Sequence, residues 1–429
     1  MPYILMLLPI ALYMGSVARN GVNVPFADEF AQIPIVVAAA HGHLTFGMLW
    51  LPHNDNRILL PNLLALLLLL PTHYNLTAEM WAGVAIVLAS FVLLVRCLAR
   101  TSDIRGWWLL PVALLFFDLT QWENMLWGFQ LAWYLILLMV VVAVYNLSTR
   151  PQGWAGLLIA SAAGLIGTFS SLQGLIIWPG GALLLLVARP RQTGRLVAWC
   201  IVGVISGVIY FENFPQLENH SALFYSISHP STTVAFFATV VGGPAGHHAE
   251  VFGVVVLAGV VALGATCWAR ADLRGQLRVP VALVVFALIF DAVVTIGRVN
   301  LGASEGASSR YTTYNLLCLI GLYSGSVVAI RAALAQRGAL AEWLPEHARA
   351  TAAFAACLIL VTGLVAATLP GALRQSSEVR QSRLIAQSLL LHYKTEPSPR
   401  LAAALFPPSA SYVRTNASEL QRNHWSVFY

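Results

Sequence analysis

Long apolar runs separated by short polar segments set the pattern of this chain. A helix of about 20 mostly apolar residues crosses the hydrocarbon core of a bilayer, so runs of this length predict membrane-spanning helices. The candidate spans are 3–18, 79–97, 107–122, 126–147, 154–169, 174–189, 195–211, 250–269, 279–297, 312–331 and 350–369. The pattern predicts an all-α polytopic membrane protein with about 11 transmembrane helices.

The polar linkers differ in charge, and this difference orients the spans. Arginine-rich linkers lie at 96–105, 147–153, 189–195, 270–278 and 331–349. By the positive-inside rule these linkers face the cytoplasm, and the alternate linkers face the other side. The alternation requires the run at 57–70, about 14 residues interrupted by Pro61 and Asn62, to lie along the membrane surface or to enter it only partly.

This topology divides the chain into two parts. Residues 1–369 form the transmembrane domain, and 370–429 form an extracytoplasmic C-terminal tail. Within the first part, 19–78 is a large outer loop with surface helices. Residues 212–250 form a second long outer loop with a re-entrant or surface helix.

The composition supports a membrane protein and argues against other classes. The chain is 58% hydrophobic and 10% charged, whereas soluble domains carry about 25% charged residues. The net charge of +6 comes from arginines clustered between apolar runs, so no nucleic-acid binding is predicted. The five cysteines are widely spaced within apolar runs and predict neither a disulfide framework nor a zinc site. Lys394 is the single lysine, and this arginine bias indicates a GC-rich bacterial genome.

Two adjacent carboxylates, Asp28 and Glu29, lie in the outer-loop stretch FADEFAQ at 26–32. A carboxylate at the membrane surface can act as a general base towards a substrate hydroxyl. The sequence predicts this role for Asp28, with Glu29 as its neighbour. A solvated loop, a metal ligand and a helix cap are the alternatives.

The order of elements over residues 1–150 resembles the GT-C superfamily of membrane glycosyltransferases, which use polyprenyl-phosphate-linked sugars. A first span is followed by an outer loop with paired acids, a polar cluster, surface helices, and a second span ending in a basic turn. The chain is similar in this order to lipid A aminoarabinose transferases and protein O-mannosyltransferases, and ADE at 27–29 matches the family's acidic motif.

The resemblance implies an enzyme of the bacterial inner membrane with its active site on the periplasmic side. It would transfer a sugar from a polyprenyl phosphate to a lipid, polysaccharide or protein acceptor, with inversion. Asp28 would be the family's acid, with Glu29 beside it. Glu123, in the Trp-rich stretch QWEN, would be the later outer-loop acid.

Other outer-loop residues would bind the substrate. The cluster HNDNR at 53–57 offers donors and acceptors for sugar hydroxyls, although Asn and Asp also form turns and caps. Two outer arginines, Arg298 and Arg310, match phosphate oxygens, and Arg310 is the one predicted to hold the phosphate. Snorkelling to the membrane surface is the alternative for both. The predicted substrate-binding residues are His53, Asn54, Asp55, Arg57, Glu123, Gln173, Arg298, Arg310 and Tyr311. Asp291, seven residues before Arg298, predicts a structural charge network between the two.

The sequence leaves a divalent cation open as a cofactor. His247, His248 and Glu250 are candidate ligands, but adjacent histidines project in different directions and no third ligand follows at motif spacing. Two other functions also stay open. One is an O-antigen polymerase or ligase, which pairs outer arginines with a lipid-linked glycan. The other is a lipid-linked glycan flippase or secondary transporter, which needs ionisable groups near the middle of the bilayer.

Overall fold

The structure, a computed structural model, describes residues 2–149, 153–188, 192–215, 220–335, 346–406 and 409–429, and these residues form helices and no β-strand. Within them, eight helices are long and apolar enough to cross a membrane: Pro2–Asn20, Leu76–Thr101, Gly128–Thr149, Thr193–Phe211, Gly243–Ala269, Ala271–Leu301, Ala303–Ala335 and Ala348–Leu391. By the length and composition of these helices, the chain is an all-α multi-pass membrane protein.

Three predicted spans are shorter helices in the structure. The runs at 154–169 and 174–189 form the apolar helices Trp154–Thr168 and Leu172–Leu186. The run at 107–122 forms a helix of only 7 residues, Leu110–Phe116. It ends there because Asp118 accepts the backbone N–H of Thr120 at 2.8 Å and starts a new turn. Eight of the predicted spans therefore have helices of spanning length.

Shorter helices connect and cover the spans. They include Gln32–Ala40, Phe46–Trp50, Leu59–Leu69, Trp122–Leu126, His220–Ser228, Pro230–Val241, Ser398–Leu405 and Ala410–Arg422. The apolar run at 57–70 is the helix Leu59–Leu69, whose 11 residues are too few to cross a bilayer.

The basic linkers meet at one end of the helical bundle. Ser102 Oγ donates to the carbonyl of Gln276 at 2.7 Å, and Arg331 pairs with Asp103 at 3.0 Å. Arg278 donates to carbonyls near the ends of two further helices, at 3.1 Å each. Elements adjoining all five basic linkers therefore lie together. Four arginines of these linkers, Arg150, Arg189, Arg191 and Arg337, lie outside the described residues, as do positions 216–219 of the second outer loop.

A second hydrophobic core joins the large outer loop to the C-terminal residues. Phe30 and Tyr74 of the loop pack in one cluster with Leu389, Leu401 and Trp425, all of them nearly inaccessible to solvent. The helix Glu346–Leu391 runs without a break across the predicted domain boundary at 369/370, and the two following helices fold back on the loop. We call residues 371–406 and 409–429 the C-terminal cap.

Candidate functional site

A polar cavity of about 140 Å³ lies at the end of the bundle opposite the basic linkers. The helix Arg274–Arg298, for example, begins at a basic linker and ends at the cavity. Six separate segments of the chain form the walls. Eight of the eleven predicted site residues line the cavity, namely Asp28, His53, Asn54, Asp55, Gln173, Arg298, Arg310 and Tyr311.

The carboxylate of Asp28 is paired with the imidazole of His53. Asp28 Oδ1 lies 3.0 Å from His53 Nε2, and the side chains are 27% and 20% exposed. A tight turn presents the imidazole, since the backbones of His53 and Asn56 exchange hydrogen bonds of 2.8 and 3.0 Å. Asn54 takes a positive φ of 49° in this turn, which Asn tolerates better than most residues. The pair therefore combines a fixed orientation with access to the cavity.

A second set of hydrogen bonds ties this turn to the loop at 169–174. Asn56 Oδ1 accepts the hydroxyl of Ser171 at 2.7 Å and the backbone N–H of Leu172 at 3.0 Å. The Ser171 hydroxyl also contacts the side-chain oxygen of Gln173. The predicted residue Gln173 is thus held beside the predicted HNDNR cluster, through the unpredicted Ser171.

Arg310 lies between two carboxylates. Its guanidinium pairs closely with Glu305, and Glu123 Oε1 lies 3.9 Å away. Ser308 Oγ donates to Glu123 Oε2 at 3.2 Å, and Tyr311 OH donates to Glu305 Oε1 at 2.5 Å. Glu123 does not line the cavity itself. Its role in the structure is to hold Arg310, whose charge is largely balanced by its two acidic neighbours.

Aromatic side chains outside the set of predicted site residues form one wall. Trp127, Phe129 and Trp133 line the cavity, and Trp127 is only 8% exposed. The indole N–H of Trp127 has no hydrogen-bond acceptor among the described residues. A tryptophan near a span end usually anchors in the membrane interface. The signal that favoured a site was the clustering of aromatic and polar residues in QWENMLWGFQ.

Glu29 points away from the cavity, into a closed pocket that we call the carboxyl pocket, formed by Glu29, Gln32, Glu79 and Gly128. Glu29 is 2% exposed and Glu79 1%. Glu29 Oε2 accepts the backbone N–H of Phe26 at 2.9 Å, as in a capping box. Burial raises the pKa of Glu29 to about 7, against the opposing effects of a nearby guanidinium and of backbone N–H groups. The structure thus places the carboxylate predicted beside the base outside the cavity.

Arg57 was predicted to bind substrate, but its side chain is 1% exposed and is hydrogen-bonded to backbone carbonyls of the protein. Its guanidinium donates to the carbonyls of Tyr210 at 2.6 Å, Trp50 at 2.7 Å and Glu212. Burial lowers the pKa of Arg57 from its ordinary value. Arg57 therefore anchors the outer loop to the end of the helix Thr193–Phe211, because loop carbonyls need donors when they are withdrawn from water.

The predicted charge network between Asp291 and Arg298 is not present. Asp291 is fully buried, and neither of its carboxylate oxygens has a hydrogen-bond partner among the described residues. Arg298 is the last residue of its helix and faces the cavity. Seven residues of helix separate the two by about 10 Å, too far for an ion pair between these side chains.

No arrangement in the described part of the chain brings together three or more His, Cys, Asp or Glu side chains that could hold a metal ion. His247, His248 and Glu250 are exposed residues outside the cavity.

Comparison with known proteins adds no assignment: no family model matches the chain, and no curated protein or solved structure shows significant similarity to it.

Proposed function

We propose that the protein is a GT-C-like membrane glycosyltransferase whose transmembrane domain contains the eight helices of spanning length. It would transfer a sugar from a polyprenyl phosphate to a lipid, polysaccharide or protein acceptor on the periplasmic side of a bacterial inner membrane. One observation carries this proposal: Asp28, whose carboxylate lies 3.0 Å from the imidazole of His53, shares a cavity with two arginines. A base and phosphate ligands within one cavity are the groups that this reaction needs.

Asp28 is the base in this mechanism. The acceptor oxygen attacks the anomeric carbon and forms the new C–O bond while its proton passes to the Asp28 carboxylate. The bond between the anomeric carbon and the phosphate oxygen breaks, and polyprenyl phosphate leaves with the bonding electrons. The His53 imidazole lies 3.0 Å from the carboxylate and limits the orientations that it can take. A single displacement of this kind inverts the anomeric centre.

Arg298 is the better placed of the two arginines to bind the leaving phosphate. No carboxylate of the described residues lies within 4.0 Å of its guanidinium, whereas Arg310 already faces Glu305 and Glu123. A guanidinium with an unbalanced charge stabilises the negative charge that develops on the phosphate. Arg310 then serves as a donor at the edge of the same site.

The aromatic wall fits a sugar ring. Trp127 and Trp133 offer flat apolar surfaces next to the polar residues of the HNDNR turn.

The test is transfer in membrane vesicles from a panel of radiolabelled polyprenyl-phosphate sugars. We expect Asp28→Asn to lower transfer by about 10²- to 10⁴-fold, the usual contribution of a general base. Arg298→Gln should also lower it. Asp272→Asn, an exposed carboxylate at the basic end, is the matched control and should leave transfer unchanged.

Transfer from no donor in the wild type, or full transfer in Asp28→Asn, would contradict the proposal. Loss in Asp28→Asn also argues against an O-antigen polymerase or ligase, because those enzymes use arginines and histidine without an early acidic pair.

A second candidate, a lipid-linked glycan flippase or secondary transporter, is favoured by Asp291. An ionisable side chain buried within a spanning helix marks a substrate or proton pathway in many transporters. Movement of a labelled lipid across the vesicle membrane, lost in Asp291→Asn but kept in Asp28→Asn, would support this candidate over transfer.

A further inference from the structure

Arg383 connects the C-terminal cap to the outer loop. It lies on the helix Glu346–Leu391, and its guanidinium carbon is 3.3 Å from the ring centroid of Phe26. Ala386 and Leu390, within two turns of Arg383, are buried in the core shared with the outer loop. The packing of the helix therefore fixes where the guanidinium lies. A planar guanidinium stacks on an aromatic face, which a lysine ammonium does not do.

A continuous series of aromatic contacts leads from Phe26 to the candidate base. Phe26 meets Trp127 edge to face at 5.9 Å between ring centroids, and Trp127 stacks on Phe129 at 6.0 Å. Phe129 in turn meets the His53 ring at 5.3 Å. Packed aromatic rings hold one another in preferred geometries. The imidazole that is paired with the base thus rests on a stack whose far end is covered by the cap.

Burial of the Arg383 guanidinium carries an electrostatic cost, and the carboxylates of Glu29 and Glu123 offset part of it. Neither carboxylate lies within ion-pair distance of Arg383. Glu29 is the chain neighbour of the base, and Glu123 holds Arg310 at the other side of the cavity. The guanidinium is therefore held between two segments that carry site residues.

We propose that Arg383 is a positioning residue, through which the C-terminal cap fixes the geometry of the Asp28–His53 pair. Loss of the guanidinium would uncover the Phe26 ring, loosen the rings that follow it, and release the His53 imidazole from its orientation. The catalytic meaning of this contact series rests on the proposed function, whereas its effect on His53 does not.

The first experiment measures the position of His53 without any transfer assay. The purified protein is treated with diethyl pyrocarbonate, and the modification rate of His53 is followed by peptide mass spectrometry, with exposed His41 as the internal reference. A cation–π contact of this kind changes an equilibrium by about 3- to 30-fold. We expect Arg383→Gln to raise the modification rate of His53 by a factor in this range and to leave that of His41 unchanged.

Two further variants make the outcome decisive. Arg380→Gln changes an exposed arginine three residues earlier on the same helix, and should leave His53 unaffected. Arg383→Lys keeps the charge but not the planar group, so it should raise the His53 modification rate by less than Arg383→Gln does. It replaces Arg383→Gln in the experiment if that variant fails to fold. An unchanged His53 rate in the folded Arg383 variants would overturn the proposal.

The second experiment repeats the vesicle transfer assay with the same variants. Poor positioning of the base should lower kcat in Arg383→Gln and leave KM for the lipid-linked donor nearly unchanged. A raised KM with unchanged kcat would also overturn the proposal, because it would assign Arg383 to donor binding. If wild type transfers from no donor while His53 responds to Arg383→Gln, the glycosyltransferase function fails and the structural link stands.

Discussion

The neighbouring carboxylates Asp28 and Glu29 belong to two regions with opposite properties, the open cavity and the closed carboxyl pocket. In the cavity, Asp28 is 27% exposed and paired with His53. In the pocket, Glu29 and Glu79 are almost inaccessible to water. A partly exposed carboxylate keeps contact with water and with any substrate in the cavity, whereas two carboxylates without water cannot both stay charged. One short helical turn thus supplies a chemical group to one region and a structural group to the other.

The carboxyl pocket leaves several of its polar atoms without hydrogen bonds. Gln32 Nε2 donates to Glu79 Oε1 at 3.2 Å, while Glu79 Oε2 and Gln32 Oε1 have no hydrogen-bond partner in the described part of the chain. A proton held by the two glutamates lowers the cost of burying them. The carboxyl pocket should therefore respond to pH, and the cavity should respond to substitutions that affect substrate.

The largest expected difference between the carboxyl pocket and the cavity is that the pocket makes the stability of the protein depend on pH. The native pKa of Glu29 is raised from 4.5 to about 7, so the native state binds this proton more tightly than the unfolded state. The resulting stabilisation is complete below about pH 4.5 and is lost as pH rises to about 7. At 1.36 kcal/mol per pKa unit it amounts to about 3 kcal/mol. We expect the thermal unfolding midpoint in detergent to fall between pH 5 and pH 8.

Glu29→Gln tests this assignment, since a glutamine cannot titrate. The variant should lose part of the pH dependence, because the buried carboxyl of Glu79 remains in the pocket, and it should keep transfer activity within a few-fold of the wild type. Glu378→Gln, an exposed glutamate on the helix of the C-terminal cap, is the control and should behave as wild type. A Glu29→Gln protein with an unchanged pH profile would show that another group titrates, and a large loss of transfer would place Glu29 in the chemistry.

The next largest effect concerns how tightly the carboxyl pocket is packed around Gly128. A Cβ atom on Gly128 would lie 2.7 Å from Glu79 Oε2, 2.9 Å from Glu79 Cβ and 3.2 Å from Glu29 Oε1. Because Glu79 Cβ sits next to the backbone, the side chain cannot move aside freely. We expect Gly128→Ala to lower the free energy of unfolding by about 1–3 kcal/mol, as overpacking usually does, measured as a lower unfolding midpoint.

Gly207→Ala is the matched substitution in open space, since no atom lies within 4 Å of its Cβ position. It should be neutral or slightly stabilising, because alanine favours helix by about 1 kcal/mol over glycine. Equal unfolding midpoints for the two variants would show that the carboxyl pocket can accommodate an additional methyl group at Gly128.

The sequence predicts which linkers lie at which end of the bundle, because the arginine-rich linkers mark the cytoplasmic end of the spanning helices. The polar linkers between them must then lie together at the opposite end. Asp28, His53 and Arg298 meet in the cavity for this reason. The direction of Glu29 was not encoded in a local pattern, because Phe26 lacks the Ser or Thr hydroxyl that marks a capping box, and only the bond from its backbone N–H to Glu29 forms.

Other features depend on contacts between distant segments, which no local pattern encodes. The burial of Arg57 follows from carbonyls near residue 210, and nothing in HNDNR indicates it. The C-terminal cap covers the outer loop through a core that includes Phe30, Leu401 and Val413, which are far apart in the chain. The indole of Trp127 fits equally well in a membrane interface or a cavity wall until its neighbours are known.

The smallest effect tests how the cavity is held together. Ser171 supplies one of two hydrogen bonds to Asn56 Oδ1, at 2.7 Å, and the backbone of Leu172 supplies the other at 3.0 Å. Ser171→Ala removes one bond and leaves the other, so the unfolding free energy should fall by about 0.5–1.5 kcal/mol. In Ser206→Ala, a control, the lost hydroxyl bonds only to Val202 of its own helix at 2.6 Å, so the change should be smaller. If Ser171→Ala lowers the unfolding midpoint by less than Ser206→Ala does, the turn that carries His53 is not fixed through Asn56. In that case the aromatic contacts and the pairing with Asp28 hold the imidazole by themselves.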